Sequence, residues 1–296
     1  MLSISKYMDS HDVAQEIRME RGVHKGSFLL VEGNTDVKRF SKFIDSDSCS
    51  LVNSYTRRKA LGAMRLLDQW KIRGAVAVVD ADFDRINRKL QLTPNVAYSA
   101  THDFDLDWIQ PHIIEQYLIE VGDATKCGMA GTATEIVKKI MAGLKPISVA
   151  RLLNIRGQLK FKVSGVNAGD CFSGFRVNIE GYVDLLARDQ RIDGREKRRL
   201  VQMIETAAKE NFDLLQLTNG HDFHCALGAC LRGDLGRRRD PQTWGSEVET
   251  HLRLAFSDSD FQQSDIFREL RVWEEANVPF RVIDKRFQQA AASGRS

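Results

Sequence analysis

Two short apolar runs that each end in acid constrain this chain more than anything else in it. They are Phe28-Leu29-Leu30-Val31-Glu32-Gly33 and Ala75-Val76-Ala77-Val78-Val79-Asp80-Ala81-Asp82. An uninterrupted aliphatic stretch of this length reads as a strand buried on both faces, the mark of a parallel sheet covered by helices. In open α/β sheets, ligands bind beyond the carboxyl ends of the strands. Glu32, Asp80 and Asp82 therefore stand where chemistry is usually done. Strand side chains alternate with period two, so Asp80 and Asp82 share a side as long as extended geometry lasts that far. If the two strands are neighbours, three carboxylates converge, and like charges that close need a positive partner. A hard divalent cation takes oxygen ligands and keeps water and phosphate as its other partners. The pattern points to metal-assisted phosphate chemistry.

The spacing around these runs fits βαβ units. Asn34 or Thr35 can cap a helix that begins at Asp36 and runs through Val37, Phe40 and Phe43. A strand over Cys49 to Asn53, an amphipathic helix over Lys59 to Trp70 and the strand that delivers Asp80 follow. A fourth strand over Asn95 to Ser99 precedes the acids Asp103, Asp105 and Asp107 and a helix with Ile113, Ile114, Tyr117 and Leu118. Strands alternating with helices in this way argue for parallel pairing. Beyond Glu120 helical spacing dominates: Ile136 to Leu144, Ile147 to Leu153, Glu196 to Ala208, Glu247 to Phe256 and Asp265 to Glu275, with a short strand at Leu159 to Val163. The expected fold class is α/β, with a Rossmann-like parallel sheet core and a mainly helical C-terminal extension. Residues 1–26 read as an N-terminal helical segment, 27–120 as the sheet domain and 121–296 as the helical domain.

Val31-Glu32-Gly33-Asn34-Thr35-Asp36, followed one strand–helix–strand unit later by Val79-Asp80-Ala81-Asp82-Phe83-Asp84, resembles the Toprim (topoisomerase–primase) motif set. That set pairs a glutamate after the first strand with Asp-x-Asp after the third. With Asp103, Asp105 and Asp107 and the later Gly220-His221-Asp222-Phe223, the chain is similar to stand-alone Toprim-like nucleases with a helical extension, the effectors of PARIS-type phage defence. The resemblance covers roughly residues 27–118. It implies a catalytic Glu32 with Asp80 and Asp82, and a Mg²⁺ or Mn²⁺ site built from Glu32, Asp80, Asp82 and Asp84. Asp103, Asp105, His221 and Asp222 are further candidates. It also implies RNA, tRNA in particular, as substrate over DNA, an ABC-type ATPase partner that releases the effector, and an active homodimer. A haloacid-dehalogenase-type phosphatase also uses Asp-x-Asp, but after its first strand, which argues against that alternative. A non-catalytic binding subunit whose acids shape an interface is the other.

Each signal has a plainer reading. Glu-Gly after a strand can be a turn, and Asp103, Asp105 and Asp222 can simply cap helices. The net charge is only +3, so nucleic-acid affinity has to come from local clusters: Arg57-Arg58-Lys59, Arg195 to Arg199, and Arg237-Arg238-Arg239. The last lies between Gly and Pro in a loop and is the preferred candidate; any one of the three can be a solvated face. The five cysteines show no disulfide framework, which suits a reducing cytoplasm. His221, His224, Cys225 and Cys230 fit no familiar zinc spacing. Gly128 to Thr132 lacks the Gly-Lys-Ser/Thr ending of a phosphate loop; Thr132 with Glu135 makes a capping box instead. The polar N-terminus does not read as a signal peptide, and no apolar run approaches the ~20 residues of a membrane span.

Overall fold

Both acid-ended runs are strands, and they are neighbours. The computed structural model describes residues 7–159, 161–163, 165–188, 190, 192–236 and 246–287. The chain runs α1 (Ser10–Glu20), β1 (Ser27–Val31), α2 (Asn34–Phe40), β2 (Cys49–Asn53), α3 (Arg57–Gln69), β3 (Ala75–Val79) and β4 (Val96–Tyr98). Then follow α4 (Phe104–Asp107), α5 (Pro111–Val121), α6 (Ala124–Ala130), α7 (Ala133–Ile155) and the short strands β5 (Phe172–Ser173) and β6 (Arg176–Val177). After them come α8 (Ile179–Arg188), α9 (Gly194–Ala207), α10 (Leu214–Leu217), α11 (Gly220–Arg232), α12 (Ser246–Ala255), α13 (Asp258–Gln263) and α14 (Asp265–Ala276).

The four-stranded sheet has the order β2-β1-β3-β4, all parallel, with Val31 opposite Asn53 and Leu30 opposite Ala77. Every residue of β1 and β3 is buried, as their unbroken aliphatic sequences require. One sheet face, carrying Phe28, Leu30, Ala75, Ala77 and Val79, packs in a core with Val13, Ala14 and Ile17 of α1 and Ala60, Ala63, Met64 and Leu67 of α3. The chain passes from β1 outward to β2, then returns to lay β3 on the other side of β1. The topological switch point thus lies between β1 and β3, the place where open α/β sheets bind ligands.

The chain forms two compact units. One holds the described residues up to Ala81, with Leu90–Ala100 and the described residues from Ser257 on; the other holds Asp82–Lys89 and Thr101–Phe256. This division differs from boundaries at 26 and 120. The C-terminal helices belong to the sheet unit: Phe261 of α13 stacks on Phe43 at 4.2 Å, and Trp273 of α14 donates its indole N–H to Asn95 at 3.0 Å. Local differences have local causes. α2 starts at Asn34 with Gly33, which has no side chain to cap with, at its N-cap; the Asn34 side-chain oxygen accepts from the Asn53 side chain instead. The described residues of the expected strand over Leu159 to Val163 are not in a strand. Ile136 to Leu153 lie in one continuous helix, α7, that runs through Pro146. Its start is the expected box, Thr132 and Glu135 capping each other's backbone. Among the described residues, no helix is long and apolar enough to cross a membrane.

Candidate active site

The sheet unit sets Glu32 and Asp80 side by side. Glu32 follows the last residue of β1 and Asp80 the last residue of β3, both half-buried. Because the strands are adjacent and parallel, the two acids leave the sheet at the same edge. One Glu32 oxygen accepts the Asp80 backbone N–H at 2.8 Å; the other accepts the Arg57 backbone N–H, the first residue of α3, at 3.1 Å. Charge-assisted bonds from rigid backbone donors fix the carboxylate's position. The frame around it is equally tied down. Ser54 gives both its N–H (2.8 Å) and its hydroxyl (2.6 Å) to the Val31 carbonyl, locking the end of β2 to the end of β1. Past Asp80, the Ala81 N–H donates to the hydroxyl of fully buried Ser99 at 2.8 Å, and the Ser99 N–H donates to Val79. Arg57 also sets its guanidinium 5.7 Å from the centre of the Tyr98 ring.

The extended geometry that would put Asp80 and Asp82 on one side does not persist. β3 ends at Val79, and Asp82 adopts a left-handed backbone with φ 49°. Asp and Asn tolerate that region better than other side chains, so the Asp-x-Asp pair is a turn rather than a continued strand.

Asp82 opens the second unit, where its N–H donates to the His102 carbonyl at 2.7 Å. His102 is buried, with Nδ1 3.2 Å from the Gln216 carbonyl and its ring 4.6 Å from that of Phe83. Burial holds its imidazole below the ordinary range, against the opposing pull of the Asp82 and Asp222 carboxylates. The Asp84 carbonyl accepts the Lys89 N–H and closes the turn that follows.

Asp103 is a double cap. One oxygen accepts the Leu106 N–H at the start of α4 at 2.9 Å, the other the Gly220 N–H at the start of α11 at 2.7 Å. Asp105 stands on α4, its Cβ in the space that a Cβ on Gly220 would need, which explains the glycine there. Asp107 accepts both the N–H and the hydroxyl of Thr101. Asp222 is fully buried and bound through both oxygens to Arg151 of α7, at 2.7 Å each. Its helix is capped by Asn219 instead. His221 is exposed, its Nε2 3.7 Å from the Cys225 sulfur, and burial pushes the Cys225 thiol up to about 11. The cysteines are all free. Among the described residues, no group of three or more His, Cys, Asp and Glu side chains is gathered as a metal cluster. Arg237, Arg238 and Arg239 lie outside the described residues.

Two features were not legible in the sequence. The Arg151–Asp222 pair joins positions 71 residues apart, and no spacing rule connects them. Arg57-Arg58-Lys59 read as one basic cluster among three, yet it starts α3 beside Glu32. Comparison of the chain with protein-family models finds no match, and comparison with curated proteins finds none either.

Proposed function

We propose that this chain is a Toprim-like, Mg²⁺-dependent nuclease that acts as an effector of anti-phage defence. The observation that carries the reading is the pairing of Glu32 with Asp80 across the switch point of a parallel sheet, with the Asp80 N–H bonded to the Glu32 carboxylate. The motif resemblance assigns the catalytic glutamate and the first aspartate of Asp-x-Asp to these two residues. Its remaining acids, Asp82 and Asp84, follow directly along the chain.

The residues present suit a magnesium ion. Mg²⁺ at phosphate sites is bound through one or two carboxylates, with water and substrate phosphate supplying the rest. Metal-ligating carboxylates are themselves oriented by hydrogen bonds, as Glu32 is by two backbone N–H groups. Glu32 and Asp80 would hold the ion, which when bound neutralises phosphate charge at the reacting centre. Glu32, fixed by the Asp80 and Arg57 amides, is placed to move a proton to or from an oxygen of the phosphodiester. Such transfer contributes ~10²–10⁴-fold. RNA, and tRNA in particular, is the favoured substrate on the family likeness, with an ABC-type ATPase as the restraining partner and a homodimer as the released, active form.

The test compares wild type with Glu32→Gln, each expressed with the ATPase partner and its trigger, by sequencing cellular RNA and DNA for new ends. The substitution keeps volume and removes the charge. New ends with wild type alone, lost again when EDTA strips Mg²⁺ from the purified protein, are expected. Equal cutting by Glu32→Gln would remove the proposed role; no cutting by either protein would leave the non-catalytic binding subunit as the better reading.

A further inference from the structure

In the segment that leads to the Glu32 hydrogen bond, and within the same unit, the chain displays an exposed aromatic ring with a lysine over it. β2 ends at Asn53; Ser54 is pinned to the end of β1, and Tyr55 then turns out of the sheet. Two residues further on, Arg57 donates its N–H to Glu32. Tyr55 is 36 % exposed and adopts φ 65°. A bulky residue rarely takes this region, whereas Gly or Asn would occupy it at little cost. Two contacts hold it there. The Asn53 side-chain oxygen accepts the Tyr55 N–H at 2.8 Å, and the same side chain donates to Asn34, two residues after Glu32, at 2.8 Å. The unfavourable backbone does not serve to bury the ring, since Tyr55 is not among the core side chains of this unit. It leaves the ring exposed in the segment that runs from the end of β2 to the Arg57 N–H on Glu32. The Lys59 ammonium lies over the ring, 5.5 Å from its centre. Arg58 is exposed, and its side chain makes no ion pair or hydrogen bond among the described residues.

Resting on the nuclease reading above, we infer that Tyr55 is a stacking platform for an unpaired nucleotide next to the scissile phosphate, with Arg58 and Lys59 holding the adjoining backbone phosphates. The chemistry is that of single-strand binding, where a base face lies on an aromatic ring and cations track the backbone. In a duplex both faces of each base are already stacked, so the ring selects single strands, loops and bulges over paired segments. The site thereby takes unpaired nucleic acid as its substrate class.

Other candidates carry less. The Cys225–His221 pair lacks a thiolate, since burial holds the thiol protonated. The groove beside Ile119 and Gly128 is apolar, and nothing in the structure shows what covers it.

The experiment measures binding apart from cutting. Glu32→Gln protein, with Mg²⁺ present, is titrated into a fluorescent single-stranded oligoribonucleotide and into its fully paired duplex. Adding Tyr55→Ala is expected to weaken single-strand binding by roughly 5- to 150-fold, the range for loss of one stacked base. It should leave duplex binding within about twofold, and Tyr55→Trp should restore the single-strand affinity. If Tyr55→Ala does not fold, Tyr55→Leu removes the aromatic face while keeping bulk. Single-strand affinity unchanged in the folded variant, or equal losses on both probes, would overturn the platform. Glu32-dependent cutting with Tyr55-independent binding sinks the platform and leaves the nuclease standing. Tyr55-dependent binding by a wild-type protein that cuts nothing does the reverse.

Discussion

At the scale of single residues, the most consequential contact outside the candidate site is the one between Arg151 and Asp222. Asp222 has no exposed surface, and both of its oxygens meet the guanidinium at 2.7 Å. Burial lowers the arginine's proton affinity, but the attraction of Asp222 outweighs it and holds the group above its ordinary value. The arginine therefore stays charged at any working pH. The pair's net contribution is small, because desolvating two ions costs nearly what their attraction returns; breaking it is expensive, because one ion is left buried alone. Asp222→Asn or Arg151→Met should lower the unfolding free energy by about 3–5 kcal/mol. The double replacement Arg151→Met with Asp222→Leu should lose much less than the two singles together. A double-mutant cycle in denaturant reads this directly, and additive losses would show that the two side chains act independently. Nothing in the sequence announces the pair, since Gly220-His221-Asp222 looks like a helix cap or a site. Glu32 and Asp80 were legible because each closes an apolar run. Tyr55 was not: tyrosine belongs to strands by propensity, and only the backbone shows it turning out of one.

At the scale of elements, burial decided what propensity left open. The strands could be read almost to the residue, since β1 and β3 carry no polar position between Phe28 and Val31 or between Ala75 and Val79. The long helix could not. Proline inside a helix costs about 3 kcal/mol and argues for a break at Pro146. Yet Met141, Leu144, Ile147, Val149 and Ala150 around it are all buried. Each large apolar side chain among them is worth about 1.5–3 kcal/mol, so their sum exceeds the penalty and α7 continues. The lost bond is the one Ala142 would have accepted, and Ala142 is exposed, where water can meet its carbonyl. Pro146→Ala should therefore stabilise the protein, by about 1–3 kcal/mol, through the regained backbone bond and the better propensity of alanine. The readout is the unfolding midpoint in denaturant at constant slope. A lower midpoint would mean that the proline's fixed φ, rather than the burial around it, is what orders this part of α7.

At the scale of the whole molecule, charge sets how a nucleic acid can be held. The chain carries 43 Lys and Arg against 40 Asp and Glu, a net charge of +3, so no long-range field gathers a polyanion. On the nuclease reading proposed above, affinity comes from a few contacts, and counterion release counts them. For single strands the logarithm of the association constant falls with the logarithm of salt at about 0.7 per phosphate contact. Arg58 and Lys59 stand at the start of α3 beside the paired acids, and two such contacts give a slope of about −1.4. Between 50 and 200 mM salt the affinity of Glu32→Gln for a single-stranded oligonucleotide should then fall by about sevenfold. Replacing Arg58 with Ala should reduce the slope by about 0.7 and weaken all sequences alike. A slope near −4 would instead require about six contacts, which brings in a second basic segment such as Arg237, Arg238 and Arg239. Salt-independent binding would exclude phosphate recognition by α3 altogether. The same titration thus ranks the two basic clusters that composition alone cannot separate: the slope counts the contacts, and the Arg58→Ala variant says whether the cations beside Glu32 are among them.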